Sequence, residues 1–136
     1  MGRLYLEVVT PERVLVSQEV DEVVAPGTDG EFGVLPGHVL FLSGIVPGEL
    51  RYKSGSVEGS MVVTTGFAEV SDDKISVLVD AAEKTSEIDK ERAQQAFERA
   101  KARLAKERGS EDVDFTRAEL ALRRAVARVK AVDKIS

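Results

Sequence analysis

The chain is predicted to be α+β and mainly β: an N-terminal antiparallel β-sandwich over residues 1–85, followed by a two-helix antiparallel hairpin over residues 86–136. Three observations carry this reading. Ten of the eleven glycines and all four prolines (Pro11, Pro26, Pro36, Pro47) precede residue 80. Apolar residues alternate before that point, as in half-buried strands, and recur every three or four positions beyond it, as on one face of a helix. The charge divides at the same place. Residues 1–87 hold 15 acidic and 6 basic side chains, a balance of −9, while residues 88–136 hold 9 acidic and 13 basic, a balance of +4, within an overall −5.

In chain order, Leu4, Leu6 and Val8 alternate with Tyr5, Glu7 and Val9, which predicts a first strand ending at Thr10-Pro11. Residues 14–16 and 20–25 read as two more, closed by a Pro26-Gly27-Thr28-Asp29-Gly30 turn. Glu31 to Leu35 forms a short strand meeting Pro36-Gly37-His38, and Phe41-Leu42 leads to a second Pro-Gly turn at Pro47-Gly48. Residues 49–53, 60–65, 67–70 and 75–79 are the remaining strands, with Ser54-Gly55 as a turn and Asp72-Asp73 as a hairpin loop. Many short strands at close spacing imply an antiparallel sandwich or a flattened barrel.

Past the junction, Ser86 or Asp89 is positioned to cap a helix, with Ile88 as a staple against Ala93. Ala93, Ala96, Phe97, Ala100 and Leu104 make one apolar stripe, which runs out near Gly109-Ser110. Asp112 or Asp114 then caps a second helix whose Phe115, Ala118, Leu122, Ala125, Val129 and Val132 form a heptad-like seam. A short connection predicts an antiparallel hairpin. Because alanine dominates both stripes, little area is buried per residue, and a tail so held can open.

Composition excludes several chemistries. With no cysteine there are no disulfides or thiol nucleophiles, and no apolar run approaches the roughly 18 residues that span a bilayer. Phosphate-loop, zinc-protease, nucleophile-elbow and dinucleotide motifs are all missing, and the one histidine, His38, sits in a turn where a structural or interfacial role fits better than general-base catalysis. We therefore expect no enzyme, no metal and no required cofactor. The basic second helix, with Arg117, Arg123, Arg124, Arg128 and Lys130, raises nucleic-acid binding, but the body is acidic and Phe97 and Phe115 belong to apolar stripes rather than stacking platforms.

On helical wheels, Arg92, Arg99 and Arg103 share one flank of the first stripe, and Arg117, Arg124 and Arg128 one flank of the second. If these flanks face each other they form a guanidinium cluster, whose planar forks suit phosphate. The plainer alternative is a row of snorkelling side chains over the seam's edge, with pairs such as Glu119 and Arg123 adding tenths of a kcal/mol, about 0.2–0.5 each.

Taken together, several motifs resemble the epsilon subunit of bacterial and chloroplast F-type ATP synthases over essentially the whole chain. They are Val9-Thr10-Pro11, Gly30-Glu31-Phe32-Gly33-Val34-Leu35-Pro36-Gly37-His38, Gly66-Phe67-Ala68-Glu69-Val70, Asp80-Ala81-Ala82-Glu83, Ile88-Asp89-x-x-Arg92-Ala93, and the run from Arg117 to Ala125. The resemblance implies a sandwich of about ten strands joining the gamma subunit to the c-ring, in the central stalk, at the cytoplasmic face of the bacterial plasma membrane. Glu31 and His38 would lie toward that rotor interface, although Val39-Leu40 stands where relatives often have a proline. It also implies a tail that permits rotation when folded and hinders ATP hydrolysis when extended, with Arg117, Arg123, Arg124 and Arg128 docking on the beta subunit. A regulatory ATP is implied for the folded form, at Glu83, Ile88, Asp89, Arg92, Ala93, Arg99, Arg124 and Arg128. The competing expectation is a free-standing nucleotide-sensing adaptor that joins no ATPase.

Overall fold

Alternating apolar residues need a partner layer to cover their inward face, and here the sheet supplies it by folding over on itself. The computed structural model describes residues 3–38, 40–107 and 115–133. In β1 (Leu4–Val9), Leu4, Leu6 and Val8 are fully buried, and the alternate residues are half-buried. There follow β2 (Val14–Val20), β3 (Glu22–Gly27), β4 (Gly30–Val34), β5 (Phe41–Ile45), β6 (Gly48–Ser54), β7 (Val57–Val63), β8 (Gly66–Ser71), β9 (Lys74–Val79) and β10 (Ala82–Lys84). They form one ten-stranded sheet in the order β10-β7-β6-β3-β5-β8-β9-β1-β2, with β4 beside β3. The end strands β10 and β2 approach each other, so the sandwich is a nearly closed barrel. Its core contains Leu4, Leu50, Met61, Ile75 and Val77, all at most 1% exposed.

Several boundaries differ from the sequence reading. The segment 20–25 is split, because β2 runs to Val20 and β3 starts at Glu22, with Asp21 donating its backbone N–H to the Lys53 carbonyl between them. The turn after β6 is Gly55-Ser56, since Ser54 still pairs with Val57, and β7 begins directly after it, not at residue 60, pairing with β6 along its whole length. β1 and β9 are parallel, the exception among otherwise antiparallel pairs. Asp72 and Asp73 do make the two-residue β8–β9 turn, both at positive φ (51° and 58°), as a type I′ geometry requires.

The junction is more tightly held than its composition suggests. Residues 82–84 add β10 to the edge of β7, and Thr64 and Ala81 exchange hydrogen bonds through both backbone and the Thr64 hydroxyl. Thr85, 4% exposed, accepts from the Ser60 hydroxyl at 2.7 Å and opens a single 3-10 turn, Thr85–Glu87.

Of the two expected caps, Asp89 is the one used: its Oδ1 accepts from the Arg92 N–H at 3.1 Å and its carbonyl from Ala93 at 2.9 Å, starting α1 (Lys90–Glu107). Ile88 packs on Val62, Ala127 and Ala131. The second helix, α2 (Phe115–Asp133), lies antiparallel to α1 and against β6 and β7. Its predicted seam is inward, with Ala118, Ala125 and Val132 buried. Roughly opposite on the wheel, Ala127 and Ala131 are also buried, against Val62 of the sandwich, so α2 is covered on two faces. The Gly109-Ser110 turn, the Asp112 or Asp114 cap and the Phe115 side chain lie outside the described residues.

Candidate functional site

β10, the 3-10 turn and the start of α1 run along one side of α2, which brings side chains distant in sequence onto a common cavity. That cavity, of about 260 Å³, is walled by Glu83 and Glu87, by Ile88, Asp89, Arg92, Ala93, Ala96 and Arg99, and from α2 by Arg128. Its chemistry is divided. Ile88, Ala93 and Ala96 supply a small apolar wall, while Arg92, Arg99 and Arg128 bring guanidiniums from two helices. The geometry therefore brings together seven of the eight residues expected to hold a nucleotide.

The eighth, Arg124, is one turn away on α2 and lines an adjoining cavity of about 370 Å³ together with Arg128 and Arg13. Glu83, Glu87 and Arg128 border both cavities. Two ion pairs run along that shared border. Glu83 Oε1 contacts Arg128 Nε, and Glu87 Oε2 meets an Arg13 terminal nitrogen at 3.2 Å. Each carboxylate thus occupies a guanidinium that could otherwise bind another oxyanion. The Glu83–Arg128 pair links the sandwich edge directly to α2.

Glu87, Ala96 and Arg13 were missed by sequence reasoning. Glu87 directly precedes the Ile88-Asp89-x-x-Arg92-Ala93 motif and is no part of it; Arg13 lies in the β1–β2 turn, 74 residues from its partner, and no local pattern points to it. Thr10 fixes that turn by accepting from the backbone N–H groups of Glu12 and Arg13 through its hydroxyl.

The remaining candidates lie elsewhere. Arg123 donates to Glu119 one turn earlier at 3.2 Å, the pair anticipated from spacing, and Arg117 is exposed near the start of α2. Glu31 accepts from Arg51 at 3.2 Å, and Arg51 also pairs with Glu49 at 3.6 Å. Hydrogen bonding to Glu31, opposed in part by burial, raises the Arg51 pKa above its ordinary value. This pair borders a larger cavity of about 700 Å³ between the sandwich and the hairpin, with Pro26, Leu122 and Val126 on its walls. His38 packs edge-on against Phe41, which packs in the same way against Phe32. Gly37, at φ 85°, donates its N–H to Asp73, tying this turn to the β8–β9 turn.

Among the described residues no group of histidines, cysteines or carboxylates is arranged to hold a metal, and no helix is long and apolar enough to cross a membrane. The fold and the site define a chain of two parts, a β-sandwich carrying a docked helical hairpin, with paired arginines and carboxylates along the border between them.

The chain belongs to the ATP synthase delta/epsilon family: residues 3–85 match its β-sandwich domain and residues 86–133 its long α-helix domain. It is 49% identical over 127 residues to an ATP synthase epsilon chain of Nitratidesulfovibrio vulgaris, covering 93% of each chain. The epsilon chain of Syntrophobacter fumaroxidans is also 49% identical, with 97% of each covered. In three dimensions it superposes on a chain in the Euglena gracilis mitochondrial ATP synthase (OSCP/F1/c-ring) with TM-score 0.84 at 25% identity, covering 97% of this chain and 82% of that one. It is a non-catalytic, epsilon-type chain.

Proposed function

We propose that this chain is a rotor subunit of the central stalk of a proton-translocating F-type ATP synthase, at the cytoplasmic face of a bacterial plasma membrane. Its sandwich joins gamma to the c-ring, and its hairpin inhibits ATP hydrolysis when extended and is held folded by ATP. The division into residues 1–85 and 86–136 is a division of labour on this reading. Family membership supports the stalk role, as do the exposed Leu35, Leu40 and Leu42 around His38 and the exposed cross-strand pair Phe67 and Leu78, apolar surface of the kind that partner subunits cover.

The observation that carries the regulatory part is the convergence of Glu83, Ile88, Asp89, Arg92, Ala93, Arg99 and Arg128 on one cavity built from both parts of the chain. The residues fit a nucleotide: Ile88, Ala93 and Ala96 offer an apolar surface to a base, Asp89 and Glu83 accept from ribose hydroxyls, and the arginines of α1 and α2 hold phosphate oxygens. The combined space of the two adjoining cavities falls within the range usual for ligand pockets, about 300–1,000 Å³. A ligand held by residues of β10, α1 and α2 favours the folded arrangement, since only there do they meet.

Linkage limits the effect. Ligand at about 100 times its Kd adds roughly 2.7 kcal/mol to the folded form. Reversing a 1:99 population needs about 5.5 kcal/mol. ATP therefore biases the switch and leaves gamma contacts and the proton-motive force to complete it. In the extended form Arg117, Arg123, Arg124 and Arg128 dock on acidic side chains of the beta subunit, as their position on α2 allows.

Calorimetric titration of the full chain with ATP tests the site: binding in the millimolar range or tighter is expected, weakened by Arg92→Ala and by Arg124→Ala. No binding at millimolar ATP refutes it. Truncation after Glu87 in the assembled ATP synthase is expected to raise ATP hydrolysis, and an unchanged rate removes the inhibitory role. Failure to recover alpha, beta and gamma chains with this one from membranes would instead favour the free-standing adaptor.

A further inference from the structure

Arg13 has no part in the sequence motif, yet it reaches the border of the candidate nucleotide site from the sandwich. It lines the 370 Å³ cavity with Arg124 and Arg128, and that cavity adjoins the motif cavity through Arg128, Glu83 and Glu87. We propose that Arg13 is, with Arg124 and Arg128, the third guanidinium of the adjoining cavity, and that this cavity receives the terminal phosphates of a nucleoside triphosphate whose base and ribose lie on the motif side. This rests on the nucleotide reading above and adds to it the direction of the phosphate chain and the discrimination among mono-, di- and triphosphates.

Three features support it. Of the two adjoining cavities Arg124 lines this one and not the motif cavity, so an anion that reaches Arg124 from the motif side enters it. Both carboxylates on the border, Glu83 on Arg128 and Glu87 on Arg13, hold guanidiniums in the way a phosphate oxygen would, which makes them internal counter-ions that a more highly charged anion displaces. The Arg13–Glu87 pair is also nearly half exposed on both sides (49% and 46%), so exchanging its partner requires no repacking. The backbone of Arg13 is held by the Thr10 hydroxyl independently of its side chain, which leaves the guanidinium free to turn without disturbing the β1–β2 turn.

The consequence is a direct link, through the ligand, from the first strand pair of the sandwich to α2. It also separates ligands by charge: residues of the motif cavity meet AMP and ATP alike, whereas Arg13 meets only the longer phosphate chain. Glu87 opposes binding by competing for Arg13.

The test is calorimetry on the full-length chain with ATP, ADP, AMP and inorganic tripolyphosphate, for wild type, Arg13→Gln, Arg13→Lys and Glu87→Gln. Arg13→Gln is expected to weaken ATP about tenfold, the scale of one charge-assisted hydrogen bond, with a loss that shrinks through ADP to AMP. Arg13→Lys recovers part of it. Glu87→Gln is expected to tighten ATP, because the competing carboxylate is gone. If Arg13 serves only to position Glu87, then Glu87→Gln weakens ATP as Arg13→Gln does, and the proposal is overturned; equal losses for AMP and ATP, or no loss for ATP, overturn it too. Failure of the nucleotide reading looks different. Wild type then binds no ATP, and tripolyphosphate that binds in an Arg13-dependent way leaves an anion site without a nucleotide, whereas no tripolyphosphate binding removes both.

Discussion

Substituting Ala131→Glu is expected to release the hairpin from the sandwich while leaving the sandwich folded. Ala131 is 1% exposed, in a patch where Val62 (3%) and Ala127 (8%) are also buried and Ile88 is partly so. At about 0.8 kcal/mol per buried methyl and about 1.5 kcal/mol for a buried valine, the patch contributes roughly 3–5 kcal/mol, an upper figure since the detached tail is not fully extended. Forcing a larger side chain into this contact costs about 1–3 kcal/mol, toward the lower end because Ala131 also borders a cavity of about 370 Å³. A carboxylate facing Val62 and Ile88 adds at least as much, about 1–3 kcal/mol even with partial relief. The two costs together match what holds the helix down, and detachment avoids both. The sandwich core is a separate cluster that includes none of α2, so its stability is untouched. Hydrogen exchange on the full chain reads this directly: α2 amides are expected to lose protection while β1 and β9 amides keep it. Unchanged protection in α2, or joint loss from helix and sandwich, refutes the account of two independently packed clusters.

Three further outcomes follow from the same structure. Asp89→Ala removes the acceptor of the Arg92 N–H, so α1 is expected to fray at its first turn with a loss of about 1 kcal/mol, seen as faster exchange at residues 90–93 with α2 little changed. Gly66→Ala puts a Cβ 2.0 Å from the Leu78 carbonyl oxygen and 2.7 Å from Val79 Cα, contacts with backbone that side-chain motion does not relieve; the β8–β9 pair must shift. That overpacking is expected to cost about 3 kcal/mol, lowering the sandwich transition by roughly 12–24 °C in a thermal melt. By contrast, Glu119→Gln breaks only an exposed one-turn pair with Arg123, and a melt is expected to register less than about 0.5 kcal/mol.

The strands were legible where one face meets core and the other meets solvent, as in Leu4, Leu6 and Val8 or Ile75, Val77 and Val79, because burial on one side writes a period of two into the chain. Boundaries failed where the signal was weak. Val57, at the start of β7, is 63% exposed, and Glu58 and Gly59 after it carry no apolar alternation, yet backbone pairing with β6 holds them in the strand. β10 escaped notice because Ala82-Glu83-Lys84 has the composition of a linker; its strand form comes from the free edge of β7.

Beyond the motif residues that the family resemblance implied, sequence by itself determined the division into sandwich and helical tail and the two candidate caps of the first helix, Ser86 and Asp89. These are local properties: turn residues, hydrophobic period and side-chain chemistry act within a few positions of each other. Only tertiary structure decided that α2 is covered on two faces, since the methyls of Ala127 and Ala131 are too small to mark a second stripe until Val62 is known to lie against them. It alone split the arginines between two adjoining cavities and set Arg13 beside Glu87 across 74 residues. Long-range pairing of charges leaves no period in the chain, because it depends on which strand edges and helix flanks the packed core brings together.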